Sequence, residues 1–343
     1  MTPVVLVAVG FAGSAASATL VALLRRWASR RRLLDLPNER SLHSRPTPLG
    51  GGLAIVVVVG VGMPLCALAA VVEVTPALLA LGGGAMLVAA VSWLDDLRGL
   101  PVVMRLLAQA TAAVMLVSVG AWPAACPLAG ATAGKVAVGL LALLWVVGLT
   151  NAYNFMDGID GIAGSQAVVA GLGWVALTWG TGRVETWLGL LLAAASLGFL
   201  VHNWPPAKIF MGDVGSAFLG FSFAALAIIG ARRDPRLALA GVLLVWPFVF
   251  DTSFTFLRRL RKGENVFRAH RSHLYQRLVL AGYSHRFVTC LYGALAVLGV
   301  MLALVWARGM AGAVWVVPLV LTVAMAGLWR FVVRAERRRE ATG

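Results

Sequence analysis

Eleven long stretches without a charged residue constrain the fold of this chain more than any other feature. Ten of them contain at least 18 consecutive residues, and a helix needs about 20 apolar residues to cross a bilayer. The shortest stretch continues as apolar sequence to Leu257 once Asp251 is allowed. We therefore predict an all-α integral membrane protein with about eleven transmembrane helices. The stretches are 1–24, 46–72, 74–94, 106–134, 136–156, 161–182, 186–207, 214–231, 237–250, 287–307 and 309–329.

The composition agrees with a membrane protein. The 343 residues are 60% hydrophobic and 13% charged, with a mean hydropathy of +0.87, whereas soluble chains carry roughly 25% charged residues. The net charge of +15 does not indicate a nucleic-acid partner, because the basic residues stand between apolar stretches and the lipid bilayer explains them. Cys66, Cys126 and Cys290 have no paired spacing, so we expect neither a disulfide framework nor a zinc site.

The distribution of Lys and Arg predicts which loops face the cytoplasm. With the N-terminus outside and the C-terminus cytoplasmic, 23 of the 29 basic residues fall on the inner side, as the positive-inside rule requires. We predict a single polytopic membrane domain over residues 1–343, with candidate catalytic loops on the cytoplasmic side. These loops lie near 25–50, 95–105, 151–164, 203–216 and 258–286, and the six outer bases are Lys135, Arg183, Arg232, Arg233, Arg236 and Arg308.

The acids cluster on the same side as the bases. Eleven of the 14 acids lie on or near the cytoplasmic side; since acids do not set topology, this indicates a metal and an anionic substrate. Asp95 and Asp96 are adjacent, and such carboxylates repel each other unless a cation such as Mg²⁺ compensates them. The alternative is a polar helix end with Arg98 as the partner. Almost no ionisable group lies within the stretches, which disfavours an ion-coupled transporter.

Two further segments combine acids with glycines. In the segment 151–164, Asp157 and Asp160 would share one face if the segment were helical, and its glycines would let a ligand approach the backbone; the alternative is a loosened turn. In the segment 202–216, Asp213 stands at the expected N-cap position of the next helix, where it can cap, bind a metal or do both. The other candidates of the first segment are Asn151, Asn154, Gly158, Gly161 and Gly164.

Two basic segments are candidates for phosphate contacts. The segment 268–277 interleaves arginines with His270 and His273, and its bases suit a diphosphate; the alternative is a positive-inside loop that faces anionic lipid. In the segment 41–52, Arg45 could meet a lipid phosphate at the membrane surface. The three glycines that follow indicate close backbone packing or the approach of a ligand.

Taken together, these motifs resemble those of the polyprenyl-phosphate N-acetylhexosamine-1-phosphate transferases of glycosyltransferase family 4. The resemblance extends from Arg45 to about Arg277. It rests on five motifs in chain order: Pro-Thr-Pro-Leu-Gly-Gly-Gly, the adjacent aspartates, Asn-x-x-Asn-Phe-Met-Asp-Gly-Ile-Asp-Gly, Pro-Ala-Lys-Ile-Phe-Met-Gly-Asp-Val-Gly-Ser and the His/Arg loop.

The resemblance implies that an N-acetylhexosamine-1-phosphate passes from a UDP-sugar to undecaprenyl phosphate, with release of UMP. It implies Mg²⁺, or Mn²⁺ as the alternative, and an active site at the cytoplasmic face of a bacterial inner membrane. It places Asp213 on the metal, Asp160 and Asn203 along the nucleotide, and Asp157 beside Arg45. The implied catalytic residues are Asp95, Asp96, Asp157 and Asp160, and the substrate-binding residues are Arg45, Asn151, Asn154, Asn203, Lys208, His270, Arg271 and His273.

The His/Arg loop lacks the consecutive histidines of the lipid I enzyme. It is similar to the branch that initiates O-antigen and lipopolysaccharide synthesis, whose donors include UDP-N-acetylglucosamine and 6-deoxy relatives such as the UDP forms of N-acetylfucosamine and N-acetylquinovosamine. The alternatives are a phospho-N-acetylmuramoyl-pentapeptide-type transferase, a transporter of lipid-linked or nucleotide sugars, and an inactive relative that serves as a scaffold. Direct attack by the lipid phosphate and a covalent aspartyl intermediate are both compatible with the sequence, and a homodimer is a family expectation.

Overall fold

The computed structural model describes residues 3–37, 42–43, 45–119, 132–266 and 270–342. Cys126 and Arg268 lie outside these ranges. The described residues form thirteen helices and one antiparallel pair of two-residue strands. The elements are α1 (Pro3–Arg31), β1 (Leu34–Asp35), β2 (Thr47–Pro48), α2 (Gly52–Leu68), α3 (Pro76–Arg98), α4 (Val102–Ser118), α5 (Thr132–Phe155), α6 (Ile162–Leu177), α7 (Val184–Asn203), α8 (Asp213–Arg233), α9 (Arg236–Leu244), α10 (Trp246–Arg261), α11 (Leu274–Leu280), α12 (His285–Ala307) and α13 (Ala313–Thr342).

The helices have the length and composition of a multi-pass membrane protein. Seven of the described helices are long and apolar enough to cross a bilayer, and there are eight such spans if the bent pair α9 and α10 counts as one. Helices α2, α4 and α6 are apolar but shorter, with 17, 17 and 16 residues. Each predicted stretch overlaps a helix or the bent pair. The all-α membrane class is therefore confirmed, and the count of eleven spans stays a prediction.

Helix α8 forms the centre of the bundle. Every residue from Val214 to Ala231 is buried, as expected for a helix that is apolar on all sides. It packs against α2, α3, α5 and α9, while the largely buried α7 packs against α1, α2 and α6. Because α8 contacts protein along its whole length, only its two ends present polar backbone groups that need outside partners.

The chain bends by 76° between α9 and α10. The Phe248 N–H donates to Val245 at the break, so the carbonyl of Leu244 loses its partner within the helix. Gln166 on α6 donates to that carbonyl at 2.8 Å. In an apolar layer a freed backbone group has to find a partner within the protein, and Gln166 stabilises the bend in this way.

Gly51 and Gly52, at the start of α2, allow the N-termini of α2 and α8 to touch. The Gly51 N–H donates to the carbonyl of Phe210 at 2.9 Å. The Gly52 N–H donates to the carbonyl of Met211 at 2.8 Å. A Cβ atom on Gly52 would overlap the backbone of Gly215. Of the two roles predicted for these glycines, the structure shows close backbone packing.

Gly52→Ala is expected to destabilise the protein by about 1–3 kcal/mol, because the added methyl group overlaps backbone that has no space to move. Gly82→Ala in α3 is the matched control, since a Cβ atom there meets nothing within 4 Å and alanine favours a helix. Thermal unfolding of both variants in the same detergent measures the difference. Equal melting temperatures would contradict the close contact between α2 and α8.

Candidate active site

A cavity of about 360 Å³ lies at the end of the bundle where α3 and α5 end and α8 begins. Five aspartates line it, although they come from four separate parts of the sequence: Asp35, Asp96, the pair Asp157 and Asp160, and Asp213. The structure thus brings together most of the acids that the sequence placed in separate loops. The polar side chains of the lining are Asp35, His43, Asp96, Asn154, Asp157, Asp160, Asp213, Gln276 and His285.

Asp96 caps the N-terminus of α8. Its Oδ1 accepts a hydrogen bond from the N–H of Asp213 at 2.8 Å, and its Oδ2 accepts one from the N–H of Val214 at 3.0 Å. Gly212 is the N-cap residue and provides no side chain, so the prediction that Asp213 stands at the N-cap position is wrong by one residue. Since α3 supplies the cap, the carboxylate of Asp213 is not used for capping and lines the cavity.

Asp95 has a different environment from its neighbour and does not line the cavity. Its Oδ1 accepts from the N–H of Leu100 at 2.5 Å, and its Oδ2 accepts from Arg105 at 2.8 Å. The same nitrogen of Arg105 lies 3.1 Å from Oδ2 of Asp213. Arg105 therefore joins Asp95 to Asp213 and offsets part of the negative charge of the cluster.

Asp157 and Asp160 lie in the loop between α5 and α6, not on a helix. The expectation of a shared helical face is therefore wrong. Burial raises the pKa of Asp157 well above its ordinary value, and the negative charges of Asp213, Asp96 and Asp160 raise it further. The cavity thus holds more carboxylates than it compensates with protein cations.

Asp160 is well compensated. Burial would raise its pKa, but the hydrogen bonds from His285 and from the N–H of Ala207, together with the charge of nearby histidines, outweigh burial and lower the pKa. The Ala207 N–H lies 3.0 Å from Oδ2, and Nδ1 of His285 lies 3.4 Å from Oδ1. Thr289 on α12 donates to the Asp160 carbonyl at 2.7 Å. These contacts fix the α5–α6 loop against α12 and the α7–α8 connection.

The glycines of the α5–α6 loop and of the first turn of α6 face protein atoms, which differs from the predicted approach of a ligand. A Cβ atom on Gly158 would overlap the hydroxyl of Tyr275, and one on Gly164 would overlap Leu200. Gly161 has a φ of +78°, a conformation that favours glycine. Only Gly158 also lines the cavity.

Asn203 and Lys208 do not line the cavity. Asn203 is buried, accepts from the Gly161 N–H at 2.9 Å and donates to the Ile209 carbonyl at 2.9 Å. Both ends of its amide are therefore engaged in holding two loops together. The side chain of Lys208 is exposed. The structure gives Asn203 a positioning role that the spacing of the sequence could not reveal.

Of the remaining predicted residues Asn151, Asn154 and Arg45, only Asn154 lines the cavity. Asn154 lines the cavity and donates to Ser216 Oγ at 3.0 Å. Asn151 instead donates to Gln109 on α4 at 2.6 Å. Arg45 is exposed, and within the described residues it forms no ion pair with Asp157.

Asp251 organises the His/Arg loop from inside the bundle. It is fully buried, and its two oxygens accept from the N–H groups of Leu274 and Tyr275 at 2.8 and 3.1 Å. The hydroxyl of Tyr292 donates to it at 2.5 Å, and Nδ1 of His273 lies 3.3 Å away. His273 is buried at the N-cap of α11. His273 does not line the cavity, so the structure does not support the predicted contact between His273 and the substrate.

His270 and Arg271 lie beside this cap, and neither lines the cavity. His270 Nδ1 lies 2.9 Å from Ser272 Oγ, and Arg271 is half-buried. Arg277, at the end of the motif, donates from Nε to Glu336 at 2.7 Å. His273 and Arg277 therefore have structural contacts, whereas His270 and Arg271 are half-buried and lie nearer the surface.

Five residues of the site were not predicted: Asp35, His43, Arg105, Gln276 and His285. Asp35 lies in the predicted loop 25–50 but was not singled out. His43 and Gln276 fall inside predicted segments but were not singled out. Arg105 could have been found as a base that follows the aspartate pair at the start of the next stretch. His285 carries no such signal, because only the fold brings α12 to the α5–α6 loop.

The donor set of the cavity fits a magnesium ion held jointly with a substrate. No group of three or more His, Cys, Asp or Glu side chains forms a complete metal cage in the part of the chain that the structure describes. Mg²⁺ usually takes one or two carboxylates and completes its shell with water and substrate phosphates. Asp96 and Asp213 both line the cavity. Burial is the main cause of the raised pKa of Asp157, and a cation there would relieve the carboxylate repulsion that adds to it.

Asp251→Asn is expected to destabilise the protein by about 2–5 kcal/mol. An amide offers one acceptor oxygen where the carboxylate offers two, so buried donors of the α11 cap lose their partner. Thr252→Val is the control, because the Thr252 hydroxyl is buried without a hydrogen-bond partner and its removal costs little. Thermal unfolding in detergent compares the two variants, and an unchanged melting temperature for Asp251→Asn would contradict the capping role.

Comparison with known proteins places this site in a family. The profile of glycosyl transferase family 4 matches residues 78–231, which include Asp95, Asp96, Asp157, Asp160 and Asp213. The "Probable undecaprenyl-phosphate N-acetylglucosaminyl 1-phosphate transferase" of Bacillus subtilis is 33% identical over 77% of this chain and 74% of its own length. The "Decaprenyl-phosphate N-acetylglucosaminephosphotransferase" of Mycobacterium tuberculosis is 33% identical over 77% of this chain and 73% of its own length.

A third relative matches a smaller part of the chain. The "Phospho-N-acetylmuramoyl-pentapeptide-transferase" of Latilactobacillus sakei is 37% identical over 35% of this chain and 37% of its own length. The two relatives named first cover most of the chain, and their names agree with the resemblance seen in the motifs. The chain belongs to glycosyl transferase family 4.

Proposed function

We propose that this protein transfers N-acetylglucosamine-1-phosphate from UDP-N-acetylglucosamine to a polyprenyl phosphate and releases UMP. In the net reaction a phosphoanhydride bond forms between the lipid phosphate and the sugar-bearing phosphorus, and the phosphoanhydride bond to UMP breaks. The observation that carries the proposal is the cavity lined by five aspartates at one end of an apolar bundle. The names of the relatives that span most of the chain support the sugar and the lipid.

The lipid product would initiate an envelope glycan at the inner membrane of a bacterium. We propose the topology with eleven spans, the N-terminus outside and the candidate site on the cytoplasmic side. The position of 23 of the 29 Lys and Arg residues supports it. A nucleotide sugar is water-soluble whereas the acceptor has a long lipid tail, so a site at the membrane surface suits both substrates.

The cavity-lining side chains are the candidates for substrate contact. Asp96 and Asp213 would lie at the reacting phosphates, and Asp160 and Asn154 would contact the rest of the nucleotide sugar. Phosphoryl transfer depends more on positioning and on charge neutralisation than on covalent chemistry. The hydrogen bonds from Asp213 and Val214 hold the carboxylate of Asp96 in place before any substrate binds.

Other predicted site residues do not line the cavity and would position the residues that do. Asp95 positions Arg105, which lies against Asp213, and Asn203 positions the α5–α6 loop. His273 positions α11 through Asp251. Lys208 and the remaining bases, Arg45, His270 and Arg271, would meet a phosphate or the sugar at the rim of the site.

The carboxylates would hold Mg²⁺, with Asp213 as the first ligand. When bound, the ion would neutralise charge on the diphosphate that bridges sugar and nucleoside. Asp96 would be the second carboxylate near the ion, and its two backbone donors would hold its side chain in place. Arg105 would balance the charge of Asp95, so that the repulsion between the two adjacent aspartates is lowered.

We propose N-acetylglucosamine as the preferred sugar; the 6-deoxy sugars and the role in O-antigen synthesis are finer alternatives. The muramoyl-pentapeptide donor is disfavoured, because the relative of that name matches only 35% of the chain. Among the rival classes, a transporter would not need five aspartates around one cavity. A homodimer remains a proposal that rests on family resemblance alone.

Purified protein is expected to release UMP from UDP-N-acetylglucosamine only when undecaprenyl phosphate and Mg²⁺ are both present. The assay uses a panel of UDP-N-acetylhexosamines, the 6-deoxy donors and the UDP-muramoyl pentapeptide, with EDTA and a lipid-free mixture as controls. The greatest rate identifies the donor. Protein that is folded but releases no UMP from any donor would contradict the proposed reaction.

Asp96→Asn and Asp213→Asn are each expected to lower the rate of UMP release by about 10²-fold or more. Only Asp96→Asn is also expected to lower stability, by about 1 kcal/mol, because it weakens the cap of α8. Asp234→Asn, the C-cap of the same helix, is the matched control and should keep both activity and stability. Normal activity of either cavity variant would remove that residue from the site.

A further inference from the structure

The opposite end of the bundle holds a second polar cavity. It has a volume of about 590 Å³ and lies where α8 ends and where α3 and α7 begin. Helix α8 contains 21 residues, which corresponds to ~30 Å of rise and to the hydrocarbon thickness of a bilayer. The two cavities therefore lie at opposite ends of α8, which the proposed topology places at opposite faces of the membrane. The second one, called the arginine cavity here, is lined by Arg183, Arg232 and Arg233 together with Glu73.

The arginine cavity has an excess of positive charge. Arg232 and Arg233 are exposed, and none of the three guanidinium groups has an ion-pair partner among the residues that the structure describes. Glu73 is the one acid in the described lining. The sequence segment 120–131, which follows Val119 at the cavity, contains no acid. Guanidinium groups in this arrangement suit a phosphate.

An apolar groove begins at this cavity and runs between α2 and α3. Its volume is about 560 Å³, and Leu78 lines both the groove and the arginine cavity. The lining is apolar except for Ser222 on α8. Leu79 and Met86 on its margin are exposed, so the groove opens towards the lipid phase. A hydrocarbon chain fits such a surface.

The two surfaces together select the chemistry of the ligand. A soluble anion would use the arginines but not the groove, and a neutral hydrocarbon would use the groove but not the arginines. We propose that the arginine cavity and the α2–α3 groove form one site for an anionic phospholipid. Its phosphate lies against Arg183, Arg232 and Arg233, and an acyl chain lies along the groove. Anionic phospholipids attract membrane-surface arginines in this way.

The site also accounts for an exception in the distribution of charge. Under the proposed topology only six basic residues lie outside, and three of them meet in this cavity. Basic residues are disfavoured on that side, so their convergence requires a reason other than insertion. A bound lipid would link the ends of α3, α7 and α8, and it would stabilise the bundle because it binds only the folded protein.

Native mass spectrometry of the full-length protein in a non-ionic detergent tests the proposal. Phosphatidylglycerol is titrated into the wild type and into the Arg232→Gln/Arg233→Gln variant, with phosphatidylcholine as the neutral-headgroup control. At roughly 1 kcal/mol for each arginine near a lipid surface, the variant should bind phosphatidylglycerol about tenfold or more weakly. The Lys135→Gln/Arg308→Gln variant removes the same charge from other predicted outer positions and should bind like the wild type.

Gly82→Leu tests the groove independently. Gly82 lines the groove, and a Cβ atom there meets nothing within 4 Å, so leucine should fill the groove without disturbing the helix. Weaker binding of phosphatidylglycerol to this variant supports the acyl-chain position. Equal binding by the wild type and the Arg232→Gln/Arg233→Gln variant, or no effect of Gly82→Leu, would overturn the proposal. Displacement of the lipid by millimolar inorganic phosphate would reduce the site to an anion site and would overturn it as well.

Discussion

The carboxylate of Asp96 accepts hydrogen bonds from the first two N–H groups of a helix that is buried along its length. The first N–H groups of any helix lack partners within the helix, and an unsatisfied group in an apolar environment costs several kcal/mol. Since the acceptor comes from α3, the end of one helix is fixed to the start of another. Gly52 then brings α2 against the same point, and the cavity forms around it.

A second helix N-terminus is also capped by an aspartate from another helix. Asp251 accepts from the first N–H groups of α11 and is fully buried, so it controls the loop with His273. The acids near the candidate active site therefore belong to two groups. Asp96 and Asp251 complete helix ends, while Asp157 and Asp213 line the cavity without such a role. Residue type alone does not separate the groups, because a carboxylate near a helix N-terminus is favourable in either case.

The sequence predicts what depends on composition and local pattern. The charge-free stretches predict the helices, and the five motifs predict that Asp96, Asp157, Asp160 and Asp213 meet. It does not predict contacts between segments that are distant in sequence. Nothing near His285 indicates Asp160 as its partner, and Asn203 has the residue type of a ligand contact although both ends of its amide hold loops. Gly158 was expected to leave space for a ligand, but the hydroxyl of Tyr275 occupies the place of its Cβ atom. A glycine in the sequence shows that space is needed but not which neighbour fills it.

The cavities at the two ends of α8 differ in charge, and they therefore suit different ligands. At the N-terminus of α8 the cavity is acidic while the proposed substrates are anionic, so the proposed reaction would need a cation between them. At its C-terminus Arg232 and Arg233 already carry the opposite charge to a phosphate, and no metal is required. Both arrangements agree with the helix dipole, which favours acids at the start and bases at the end. In the proposed topology, the same helix would serve metal-dependent transfer at one membrane face and lipid binding without chemistry at the other.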